Sequence, residues 1–108
     1  MKAHELRIGN LIERGGQIVT VGWGTIKAAS EGMDVGSPIQ LNNEWYLKFG
    51  FEKSNNSYYI GDYTYGVELI DCDFYFLLYG DQAMIKIKHV HQLQNLYFAL
   101  TGEELKTI

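Results

Sequence analysis

The chain has 108 residues, 46% of them hydrophobic and 20% charged, which is enough apolar surface to bury a core and excludes a disordered chain. The longest apolar run, Phe74 to Tyr79, is far short of the roughly 18 residues a membrane span needs, and Met1 to Arg14 is too polar for a signal-peptide core. The formal charge of −4 comes wholly from residues 54–108, with seven acidic and three basic side chains, because residues 1–53 hold six of each. That acidic half would repel a polyanion, so the composition argues against nucleic acid and membrane alike and is that of one cytoplasmic domain over residues 1–108.

Taken in chain order, Leu11 to Val21 places Gly15-Gly16 between two short β-prone runs, the pattern of a hairpin. Thr25 to Ala29 reads as a further strand, and Ser30 to Ser37, with Gly32, Asp34 and Gly36, as a loop closing before Pro38. Asn42 is placed to cap a short helix over residues 43–49, with Glu44 in its first turn, Gly50 as its stop and Trp45, Tyr46 and Phe49 on one face. Phe51-Glu52-Lys53 and Tyr58-Tyr59-Ile60 flank Asn55-Asn56 as a second hairpin. Tyr63 to Ile70 alternates as a half-exposed strand, and Phe74 to Tyr79 is apolar on both faces as an interior strand should be. Gly80-Asp81 then turns the chain into Met84 to Lys88, with Ile85 and Ile87 facing in and Lys86 and Lys88 facing out. Val90, Leu93, Leu96, Tyr97 and Leu100 form one stripe of a helix over residues 90–101, with Gly102 beyond it as a stop. The expected class is α+β: a mainly antiparallel sheet or partly open small barrel of six to eight short strands with these two helices.

Chemistry-bearing clusters are scarce. His89 and His91 are two apart, but the sequence supplies few further ligands and zinc needs three or four converging groups, so no metal is expected. The carboxylates of Asp71 and Asp73 oppose a negatively charged sulfur at Cys72, which argues against a nucleophile, and a lone cysteine reads as a buried free thiol. No Ser/His/Asp order, phosphate loop or dinucleotide fingerprint is present, so neither an enzyme nor a cofactor is expected. The aromatics from Tyr58 to Tyr79 have no interleaved basic residues and read as sheet packing rather than a stacking platform for bases.

Three stretches carry a resemblance. Glu5-Leu6-Arg7-Ile8-Gly9-Asn10, then Glu44-Trp45 with Leu47 to Lys53, then Val90 to Leu105 with its core His91-Gln92-Leu93-Gln94-Asn95-Leu96-Tyr97-Phe98 are similar to a family of small uncharacterised proteins borne by phages and prophages of gut bacteria. The resemblance implies a phage-related origin, the cytoplasm of a bacterial host and no known activity or site residues. The opening hairpin also resembles the start of small SH3-like barrels that bind nucleic acid or peptides, with Arg7, Arg14 and Lys27 in that region.

The leading expectation is a non-enzymatic accessory protein that acts through protein contacts, with a partner or with its own copies. The alternative is a nucleic-acid-associated protein using the SH3-like N-terminal strands. On a wheel of about 100° per residue, His91, Gln94, Asn95 and Phe98 lie opposite the leucine stripe. An aromatic in a polar rim makes that side the candidate interaction face, unless a loop or the N-terminal hairpin covers it as a second packing layer.

Overall fold

The computed structural model describes residues 3–60, 65–78 and 83–107, and among them the chain forms seven strands, three α-helices and a 3-10 turn. Its contacts divide it into two units, Met1–Gln40 with His89–Glu104 and Leu41–Lys88 with Leu105–Ile108.

In the first unit the 3-10 turn Ala3–Glu5 leads into strand β1 (Leu11–Arg14), which pairs antiparallel with β2 (Gln17–Thr20). Gly15 and Gly16 have φ of +60° and +80°, the left-handed pair that a two-residue hairpin turn matched to strand twist requires. Thr25 to Ala29 is a correction, because it lies in helix α1 (Trp23–Ser30) and not in a strand. The hydroxyl of Thr25 accepts a hydrogen bond from the Gly22 N–H at 3.2 Å, which satisfies a donor at the helix start. Ala28 and Ala29 are strong helix formers, and Ile26 and Ala29 then fall on one face three residues apart. That face joins Leu6, Ile12, Val21 and Val35 in the core of the unit. The loop after α1 comes back to β1, where Glu13 and Ser37 bond reciprocally at 2.9 and 2.7 Å. A side chain at Gly36 would place its Cβ 2.5 Å from the Glu13 carbonyl, and Gly36 has φ +136°, so this close approach requires glycine.

Helix α3 (Val90–Thr101) has the expected bounds and ends at Gly102 with φ +75°. His89 is its N-cap residue without a side-chain cap; the side chain of Gln92 folds back instead and accepts from the His89 N–H at 3.0 Å. α3 packs on β1. The leucine stripe is buried at its start, with Val90 and Leu93 inaccessible, whereas Leu96, Tyr97 and Leu100 are half-buried.

The second unit opens with helix α2 (Asn43–Lys48), capped as its sequence predicts by the Asn42 carboxamide, which accepts from the Trp45 N–H at 3.0 Å. Strands β3 (Glu52–Ser54), β4 (Ser57–Ile60), β5 (Tyr65–Ile70), β6 (Asp73–Leu78) and β7 (Ala83–Ile87) follow in one antiparallel sheet in sequence order. Neither sheet closes into a barrel. The aromatics are packing residues: Tyr46 is fully buried, stacked on Tyr58 at 4.5 Å and tilted against Phe74 at 4.9 Å. Burial, and secondarily the neighbouring Tyr58, raises the pKa of the Tyr46 hydroxyl, which has no hydrogen-bond partner.

Two further expectations change. Ile87, opposite Phe74 in the register, is buried, but Ile85 is exposed although its partner Phe76 is fully buried, because β7 is an edge strand of the sheet. Cys72 is exposed and not buried, because it shares with Asp71 the two-residue turn between β5 and β6, both residues having left-handed φ. Tyr63 and the Gly80-Asp81 turn lie outside the described residues. No helix among the described residues is long and apolar enough to cross a membrane.

Candidate functional site

The face of α3 that sequence periodicity points to is a packing surface for most of its length. Gln94 is 2% exposed and His91 6%, Asn95 is half-buried, and only Phe98 reaches solvent, at 37%. The covering layer comes from the N-terminal segment of the same unit. Gln94 uses its carboxamide as a peptide group would be used in a ladder: Oε1 accepts from the Leu11 N–H at 2.9 Å and Nε2 donates to the Gly9 carbonyl at 3.2 Å. Asn95 accepts from the Asn10 Nδ2 at 2.8 Å and donates to the Glu5 carbonyl at 3.2 Å. Asn10, fully buried, accepts in turn from the Arg7 N–H at 2.6 Å. These buried amides are donor and acceptor at once, so each closes a backbone or side-chain group that would otherwise be left without water or partner.

Phe98 is occupied in a different way. The Arg7 guanidinium lies over its ring at 4.1 Å and forms an ion pair with Glu104, Nη1 to Oε1 at 2.6 Å. Residues 5–10 and 90–104 thus contain the partners Arg7, Asn10, Gln94, Asn95 and Glu104 of one network. The expected face is therefore corrected: Gln94 and His91 are largely covered by the second packing layer, and His91 keeps only an edge on the cleft at the start of the helix.

The open apolar surface is elsewhere, on the outer side of α1. Trp23 is 67% exposed and Ile8 58%. With Ile26, Lys27 and Ser30 they line a shallow hollow of about 380 Å³. Lys27 holds its ammonium 5.8 Å from the Trp23 ring centroid and is the one charged group among the described residues of that lining. The reading of residues 25–29 as a strand hid this surface, because it is the helical turn that brings Trp23 beside Ile26 and Lys27.

A second concavity, of about 450 Å³, sits at the start of α3 and is lined by His4, Glu5, Pro38, His89, His91, Gln92, Asn95 and Leu96. The His89 and His91 rings are nearly parallel, with centroids 5.8 Å apart. Burial, then the neighbouring His89, lowers the pKa of His91, while Glu5 opposes the shift. Among the described residues no three His, Cys, Asp or Glu groups converge as a metal site would require. Comparison with family models, with curated proteins and with solved structures gives no match. The functional reading therefore rests on the chemistry of these surfaces.

Proposed function

We propose that this chain is a non-enzymatic interaction module, a phage-derived accessory protein that works through protein contacts made on the outer face of α1. The observation that carries the reading is Trp23, a large aromatic left two-thirds exposed at the edge of an apolar hollow. Tryptophan dominates interface energies because it buries a large apolar area at small cost in side-chain entropy. The hollow suits an apolar anchor side chain, and Lys27 at its rim suits a carboxylate beside that anchor, so the partner is a protein segment of mixed apolar and acidic character.

Nucleic acid is the weaker reading. Of the four Lys and Arg residues among the first thirty, Lys2 lies outside the described residues and Arg7 is held by Glu104 and Phe98, which leaves Arg14 and Lys27, and phosphate-driven binding needs more cations than that in one place.

Tryptophan fluorescence tests the proposal, because Trp45 is buried and Trp23 is exposed, so occupation of the hollow shifts the red component of emission to the blue. Peptides selected from a random display library should share an apolar residue next to Asp or Glu, shift that emission saturably and lose binding at least tenfold against Trp23→Ala. Their affinity should change little between 50 and 300 mM salt, a range of our choosing that weakens phosphate contacts steeply. Random DNA or RNA that binds more tightly than any selected peptide, with a steep salt dependence, contradicts the proposal.

A further inference from the structure

The cleft at the start of α3 carries an inference independent of Trp23. All three histidines of the chain, His4, His89 and His91, line it. His91 is 6% exposed, and its Nδ1 is buried without a hydrogen-bond partner, a state that buried polar atoms rarely occupy. His89 and His91 also stand at the N-terminal end of a twelve-residue helix whose first turn carries no acidic side chain, so nothing on the helix offsets the positive end of its dipole. The charged and titratable groups facing the cleft are His4 and Glu5 from the 3-10 turn and His89 and His91 from the helix start; Gln92 and Asn95 add amides, and Pro38 and Leu96 an apolar wall.

We propose that this cleft binds a small oxyanion, phosphate or a phosphate monoester, at the N-terminal end of α3, with His89 and His91 donating to its oxygens. An oxyanion is the ligand that satisfies a helix N-terminus and two adjacent imidazole N–H groups together, because its several oxygens can accept a hydrogen bond from each. Glu5 is the one acidic side chain among the described residues lining the cleft and sets its opposing charge. The volume exceeds that of bare phosphate and leaves room for a small organic group against Pro38 and Leu96.

The test is an NMR titration of the imidazole resonances of the intact protein at pH 6.5, with potassium phosphate, with phenyl phosphate and with potassium chloride at matched ionic strength. The expected result is a saturable shift of the His89 and His91 signals with a phosphate probe and not with chloride. Tighter binding of phenyl phosphate identifies a monoester as the source, and tighter binding of phosphate the free ion. His89→Gln and His91→Gln should each weaken binding at least tenfold with an unchanged circular dichroism spectrum. If His91→Gln fails to fold, His89→Gln and the parental titration decide the matter. Shifts reproduced by chloride, or shifts confined to His4, overturn the proposal.

Discussion

Phe98 and Trp23 are both aromatic residues with a basic side chain over the ring, each on a helix of the same unit, yet they stand in opposite situations. Phe98 has a guanidinium 4.1 Å above its ring, and that guanidinium is tied to Glu104 and to the Gln94 carbonyl. Trp23 has a single flexible lysine beside it and two-thirds of its surface in water. The difference lies in whether the polar groups around the ring are already bonded to the rest of the chain. Around Phe98 they are, through Arg7, Asn10, Gln94 and Asn95.

The contrast can be broken most forcefully at α3, which is held on both sides. Leu93→Ala should cost about 2 to 5 kcal/mol, as full burial implies, whereas Leu96→Ala and Leu100→Ala should each cost clearly less because those residues are half-buried. Urea unfolding of the three variants checks the order, and equal losses would show that the stripe is packed evenly along its length. Gln94→Leu keeps the volume but withdraws the partners of the Leu11 N–H and the Gly9 carbonyl, at about 1 to 3 kcal/mol for a buried backbone group left unsatisfied. A Gln94→Leu protein as stable as the parent would mean that water replaces the carboxamide and that this side of α3 is more open than described.

A smaller effect follows from His91. Its folded pKa lies below the unfolded value of about 6.5, so the unfolded chain binds more protons between the two values and stability rises with pH there. The contribution is fully present above about pH 6.5 and is lost as pH falls through the folded pKa. Denaturant midpoints in phosphate-free buffer should therefore drop between pH 7.5 and 5.5, and His91→Gln should flatten that decline. An equal slope in the variant assigns the effect to other groups.

Much of the fold was legible because local signals agreed with the tertiary outcome. Gly15-Gly16 and Asn55-Asn56 mark their turns, Asn42 its cap, and Gly102 the end of α3, whose start at His89 carries no side-chain cap to mark it. Helix α1 was not legible, since Thr25 and Ile26 are β-prone and Gly22 and Gly24 look like turns; the Thr25 bond to Gly22 and the burial of Ala29 decide the matter only once the core exists. The α3 polar face was misread for a different reason. Asn and Gln on a helix pattern as solvent-facing, and nothing in a period of 3.6 shows that Gln94 completes the backbone bonding of residues 9 to 11, more than eighty positions away. Cys72 follows the same lesson, because turn position outweighed the usual burial of a lone thiol.

The most direct measurement sets the two aromatics against each other. Trp23→Ala and Phe98→Asp are compared for thermal midpoint and for affinity toward the same selected apolar-acidic peptide. The account predicts that Trp23→Ala folds with stability within about 0.5 kcal/mol of the parent, as expected of an exposed side chain, and loses binding at least tenfold. Phe98→Asp should bind within twofold of the parent. Loss of binding in Phe98→Asp with full retention in Trp23→Ala would contradict it.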